Sequence, residues 1–138
     1  MTAGPVAAPQ VPVSWGELID KITILEIKSA KIRRQEQLAN VRKELALLQE
    51  IARPVPAGSQ VAQIALLLRA VNEKLWDVED RLRELEAAAD FGAEFIELAR
   101  SVYKSNDERA ALKRKINDAM PCGIAEEKSY AGLSSSEQ

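Results

Sequence analysis

Between Val61 and Ala89 the apolar residues fall at Val61, Ile64, Leu68, Val71, Leu75, Val78, Leu82, Leu85 and Ala89. The steps alternate three and four throughout, which predicts one long helix with a heptad-like apolar face. Upstream, Ser14-Trp15-Gly16-Glu17 has the form of a capping box, with Val13 and Leu18 placed as a hydrophobic staple. A helix is expected from there to about Ala52. Its stripe is Leu18, Ile22 and Leu25 at the start and Leu38, Val41, Leu45 and Leu48 near the end. The two runs are out of phase, and the stripe thins between Ser29 and Glu36; a rotated seam, a stutter or a polar layer would each produce this. Arg53-Pro54-Val55-Pro56-Ala57-Gly58-Ser59 is a turn, since Pro54 cannot continue a helix and Ser59 can cap the next.

Asp90 is the expected N-cap of a third helix carrying Phe91, Phe95, Leu98, Val102, Leu112 and Ile116. The same register puts Ser105 and Arg109 in the seam. Ser105-Asn106-Asp107-Glu108 is also a capping box, a place for a kink or a restart. Pro121 and Gly123 close the helix. Residues 124–130 are expected to fold back on the bundle. Met1 to Pro12, with three prolines among small residues, reads as a disordered lead-in, and 131–138, with three serines, as a disordered tail. The expected architecture is all-α: an antiparallel three-helix bundle of coiled-coil-like helices in one domain over 13–130.

Charge supports antiparallel pairing. The net charge is +3 over residues 31–53, −6 over 73–97 and +3 over 100–118, so an acidic second helix lies between two basic ones. Exposed ion pairs contribute only about 0–1 kcal/mol each, so they orient the helices more than they hold them. The chain of 138 residues has a net charge of −2, one cysteine and no histidine. That composition excludes a disulfide within the chain, His-based metal sites and His-dependent nucleophile activation. No apolar run reaches the roughly 20 residues that span a bilayer, and no secretory leader pattern opens the chain. A cytoplasmic location without membrane insertion is expected, with no cofactor. Lys31, Arg33, Arg34, Arg42 and Lys43 form a basic cluster, but no aromatic residue is interleaved, so nucleic acid is not expected as a partner.

Two polar stripes could carry chemistry. On the second helix Asn72, Trp76, Glu79 and Arg83 share a face; as a plain surface stripe, Glu79 and Arg83 would be an i,i+4 ion pair. On the third, Tyr103, Asn106, Arg109, Lys113 and Asn117 share another. An arginine in an apolar seam demands a partner, because an unpaired buried charge is costly, and Glu79 and Glu26 are the candidates. Arg109 and Lys113 would either grip a carboxylate or phosphate, or form a buried polar layer that fixes helix register. Lys21, Glu26 and Lys28, together with Asn72, are secondary candidates that could face the same layer; as solvated charges they would do nothing more.

Several strings carry a resemblance. They are residues 13–28 (Val13-Ser14-Trp15-Gly16-Glu17-Leu18 through Lys28), Asn72 with Leu75-Trp76-Asp77-Val78-Glu79-Asp80, Asn106-Asp107-Glu108-Arg109-Ala110 with Lys113 and Asn117, and Glu126-Glu127-Lys128-Ser129-Tyr130. Over about residues 13–130 the chain resembles a family of uncharacterised bacterial proteins, a domain of unknown function. The resemblance implies no activity; it does imply neighbours among sugar-transfer and cell-surface polysaccharide proteins. The first helix is also similar in pattern to that of the all-helical chorismate mutases, through Ile19-Asp20 and Lys28, but the basic residue ahead of Ile19 is missing. Two functions follow as expectations. One is a non-enzymatic binding or adaptor module whose partner is another protein or a second copy. The alternative is a small-molecule-binding protein or enzyme, where Arg109, Lys113 and Tyr103 hold a small anionic or sugar-phosphate ligand and Glu79 serves as acid or base.

Overall fold

The computed structural model describes residues 4–124, 127 and 129. Among them are four α-helices and no strand: α1 (Trp15–Lys31), α2 (Gln35–Ile51), α3 (Gln60–Ala87) and α4 (Ala93–Ala119). The fold is all-helical as expected, but the helix count is four, not three. The expected fold-back of 124–130 and the tail at 131–138 fall outside the described residues, apart from Ile124, Glu127 and Ser129.

The extra helix comes from a break at Ile32-Arg33-Arg34, where the stripe thins. α1 ends with Ile32 extended (ψ 133°) and its N–H on the Lys28 carbonyl. Lys28 and Lys31 complement the negative end of the helix dipole there. On a straight continuation of α1, Leu38, Val41, Leu45 and Leu48 would lie out of phase with Leu18, Ile22 and Leu25. Folding back lays α2 antiparallel on α1, with Lys21 3.1 Å from Glu44. Leu45 and Leu48 then pack on a core of Leu18, Ile19, Ile22, Val61, Ile64, Leu68 and Ile116. The out-of-phase seams were the mark of this turn.

α1 is the centre of the molecule. It packs on α2, α3 and α4, whereas α2 runs close to α1 alone among the described helices. α1 buries Gly16, Leu18, Ile19, Asp20, Ile22, Thr23, Leu25 and Ile27, and none of the described residues of α2 is fully buried. α1 runs parallel to α3, as Asp20–Asn72 and Lys31–Asp77 show, and antiparallel to α4, as Gly16–Asn117 and Asp20–Arg109 show. The heptad stripe of α3 is inward as expected: Val61, Ile64, Leu68, Leu75, Val78 and Leu85 are buried.

α4 runs unbroken through Ser105, which is buried rather than acting as a cap. Packing of the inward run Val102, Ser105, Arg109, Leu112 and Ile116 overrides the local capping signal. At the α3–α4 turn Asp90 is not the N-cap; its carboxylate accepts from the Gly92 N–H, 3.2 Å, and the helix starts at Ala93. α3 closes in a Schellman motif: the Asp90 N–H reaches the Leu85 carbonyl and the Ala89 N–H that of Glu86, with Ala89 left-handed at φ 51°. Beyond Asp77, its last ion pair with α1, α3 continues for ten residues to Ala87, or about 15 Å, paired with α4. Arg81 forks onto Glu94 across this arm at 3.0 and 2.8 Å. That ion pair holds the Glu94 carboxyl below its ordinary range and pushes the Arg81 guanidinium up.

Candidate functional site

One residue of each stripe, Asn72 and Arg109, meets at a residue that neither stripe contains. Asp20 is 1% exposed in the middle of α1. Its carboxylate accepts from Arg109 Nε at 2.8 Å and Nη2 at 2.5 Å, a bidentate fork, and from Asn72 Nδ2 at 2.9 Å. The same Asn72 amide donates to Thr23 Oγ1 at 2.9 Å, and the Thr23 hydroxyl donates to the Asp20 carbonyl at 2.7 Å. Three helices are thereby joined by one layer of charge-assisted bonds, the geometry in which Arg–carboxylate pairs are strongest. Among the described residues every buried side-chain polar atom has a hydrogen-bond partner.

A second polar contact lies one to two turns away, where the start of α1 meets the end of α4. Ser14 Oγ accepts from the Glu17 N–H at 3.2 Å, as the capping box predicts. The Gly16 N–H, left without a partner inside its own helix, donates to Asn117 Oδ1 at 2.7 Å. Lys113 Nζ is 2.8 Å from the Glu17 carboxylate. The helices touch so closely here that a Cβ on Gly16 would stand 2.5 Å from the Lys113 carbonyl oxygen. Gly16 is therefore required by approach rather than by backbone angle.

The predicted partners of Arg109 are corrected. Glu79 is exposed on α3, and Glu26 lies 3.9 Å from Arg69. Neither closes the arginine; Asp20 does. Of the first-rank candidates, Arg109, Lys113 and Asn117 face α1. Asn106 and Trp76 are half-buried on α4 and α3. Tyr103 is 54% exposed on the arm. Among the secondary candidates Asn72 belongs to the Asp20 layer, Lys21 pairs with Glu44 on the surface, and Lys28 is half-buried at the end of α1. Asp20 went unassigned as the partner, yet a signal for it existed: Gly16, Asp20, Thr23 and Ile27 follow the same 4-3-4 spacing as the seam of α4.

A shallow groove of about 560 Å³ runs along the outer face of α4, lined by Ala93, Ile96, Glu97, Arg100, Ser101 and Lys104. None of the predicted site residues lines it. Among the described residues no group of three carboxylates or thiols could hold a metal ion, and no described helix is long and apolar enough to cross a membrane.

No curated protein and no solved structure matches the chain. The profile of a family of unknown function, DUF6165, matches residues 9–137, which takes in α1 to α4, the Asp20 layer and the Gly16 contact. The chain belongs to that family.

Proposed function

We propose that this chain is a non-enzymatic helical binding module, spanning about residues 13–130, whose interior polar groups hold the helices in register and whose outer surface meets a partner protein. One observation carries the reading: the two cations best placed to grip an anionic ligand are turned onto carboxylates of the chain's own first helix, Arg109 onto Asp20 and Lys113 onto Glu17. A bidentate pair on a carboxylate that is 1% exposed is a register device. The residues that would complete a ligand cleft, Glu79 and Tyr103, are exposed and lie about two turns along their helices from Asn72 and Arg109. The arm beyond Asp77 supports the surface role, because it exposes Phe91, Ile96 and Tyr103. We place the module in the cytoplasm, and the family resemblance implies sugar-transfer and cell-surface polysaccharide systems as its neighbours.

The test is a thermal-shift series with inorganic phosphate, pyrophosphate, sugar phosphates and small dicarboxylates. The expected result is no stabilisation beyond that of matched ionic strength. A saturable rise in Tm that disappears in Lys113→Gln, a variant of native fold by circular dichroism, would overturn the reading in favour of an anion site.

A further inference from the structure

We propose that the arm of α3 and α4 beyond α1 holds a third helix, supplied by a partner protein: an amphipathic helix with basic side chains beside its apolar stripe. This deepens the adaptor reading above and rests on it. Lower in the molecule α1 fills the same position. It lies on one flank of α3 through Asn72, which donates to Asp20, and on one flank of α4 through Lys113 and Asn117, which meet Glu17 and Gly16. Both flanks continue upward at helical spacing. On α3, steps of four, three, four and three lead from Asn72 through Trp76, Glu79 and Arg83 to Glu86. On α4, steps of three and four lead from Lys113 through Ala110, Asn106, Tyr103 and Ala99 to Phe95.

Burial falls along both flanks together. Asn72 and Lys113 are buried, Trp76 and Asn106 half-buried, and Glu79, Glu86, Ala99 and Tyr103 exposed. The cause is the course of α1. At its last residue, Lys31, the ammonium reaches Glu73 and Asp77, a quarter turn or more around α3 from Asn72. α1 has left the groove between α3 and α4 by that level, and the upper groove has no third helix among the described residues.

The two walls of that groove define the occupant. The α4 wall is apolar and aromatic: Phe91 stacks edge-on against Phe95, with ring centroids 5.2 Å apart, and Phe91 and Tyr103 are both more than half exposed. The α3 wall is acidic. Glu79 and Glu86 enter no ion pair among the described residues, and residues 73–97 carry a net charge of −6. An amphipathic helix laid in the groove covers the rings with its apolar stripe and sets lysines or arginines against Glu79 and Glu86. The same charge repels nucleic acid and anionic membrane surfaces.

The experiment titrates the full, isotopically labelled chain with synthetic heptad peptides of equal length: leucine with lysine, leucine with glutamate, and serine with lysine. The leucine–lysine peptide should bind saturably, one to one, and shift backbone amide resonances within residues 79–103. The other two should bind at least about tenfold more weakly. F91A/Y103A alters exposed rings only, keeps the native circular dichroism, and should weaken the leucine–lysine peptide at least about tenfold. E79K/E86K should exchange the preference to the leucine–glutamate peptide. The proposal is overturned if the leucine–lysine peptide does not bind, if the serine–lysine peptide binds as well, if F91A/Y103A binds like the wild type, or if E79K/E86K keeps the original preference. It is also overturned if light scattering shows a free dimer that F91A/Y103A dissociates, since a second copy then fills the groove. Binding that survives F91A/Y103A but is lost in L66S/L67S, an exposed pair lower on α3, overturns the arm and leaves the adaptor reading standing. A saturable, Lys113-dependent response to phosphates overturns that reading instead.

Discussion

Replacing Arg109 with alanine strands a carboxylate. Asp20 is 1% exposed, and two of its three side-chain hydrogen bonds come from the Arg109 guanidinium, leaving only Asn72. Removing one member of a buried ion pair costs about 3–5 kcal/mol, because the remaining charge keeps its desolvation penalty. The Arg109 side chain is 29% exposed, so water can reach part of the vacated space, and the lower end, about 3 kcal/mol, is the better figure. For a chain of this length that corresponds to a fall in Tm of roughly 10 °C. The assay is urea unfolding followed by helical circular dichroism, with the shift in midpoint converted at constant m. The companion is the double variant Asp20→Leu with Arg109→Met, which removes both charges and keeps volume. It should recover most of the loss, since apolar replacement of a whole buried pair is often neutral. A loss below about 1 kcal/mol in Arg109→Ala, or a double variant no better than the sum of the single ones, would refute the claim that the pair holds the fold by mutual compensation.

Other substitutions separate close approach, backbone angle and charge. Gly16→Ala should destabilise by about 1–3 kcal/mol, despite the better helix propensity of alanine, because its Cβ meets the Lys113 backbone; an unchanged or raised Tm would show that α1 and α4 can part cheaply. Ala89→Gly should stabilise by about 0.5–1 kcal/mol, since φ 51° suits glycine and the Schellman bonds stay in place; calorimetry reads this as a higher Tm. Glu94 has its carboxyl depressed by the hydrogen bond from Arg81, so its contribution is complete above its ordinary pKa of 4.5 and is lost as pH falls through the lower folded value. Glu94→Gln should therefore lose less stability than wild type on acidification through that window, and equal slopes in paired pH melts would reject the pairing.

The strongest periodicities were legible in the sequence. The α3 stripe, the Ser14 and Ser59 caps and the turn after α2 all follow from local rules, and the structure reproduces them. The break at Ile32-Arg33-Arg34 was visible only as a thinning stripe, because no proline or glycine marks it. Its cause is tertiary: α2 gains a surface by folding back. The Asp90 cap failed for a local reason, an Asx-type bond that delays the helix to Ala93. At the candidate site, the need of Arg109 for an anion followed from its seam position, but its choice of Asp20 over Glu26 or Glu79 depends on how α1 rotates against α4. Asp20 also looked like one more charge on a mixed stretch, while its spacing with Gly16, Thr23 and Ile27 placed it inward.

Asp20 and Arg109 are 89 positions apart in the chain, and Gly16 and Asn117 are 101. α1 is the first helix synthesised and α4 the last. Until α4 exists, Asp20 has no cation, and a lone carboxylate favours water over the interior. The inner face of α1 therefore gains its full burial energy only when the end of the domain has been made. α3 and α4 can pair through local contacts alone, whereas the Asp20 layer joins residues far apart in the chain and closes only once α4 is present.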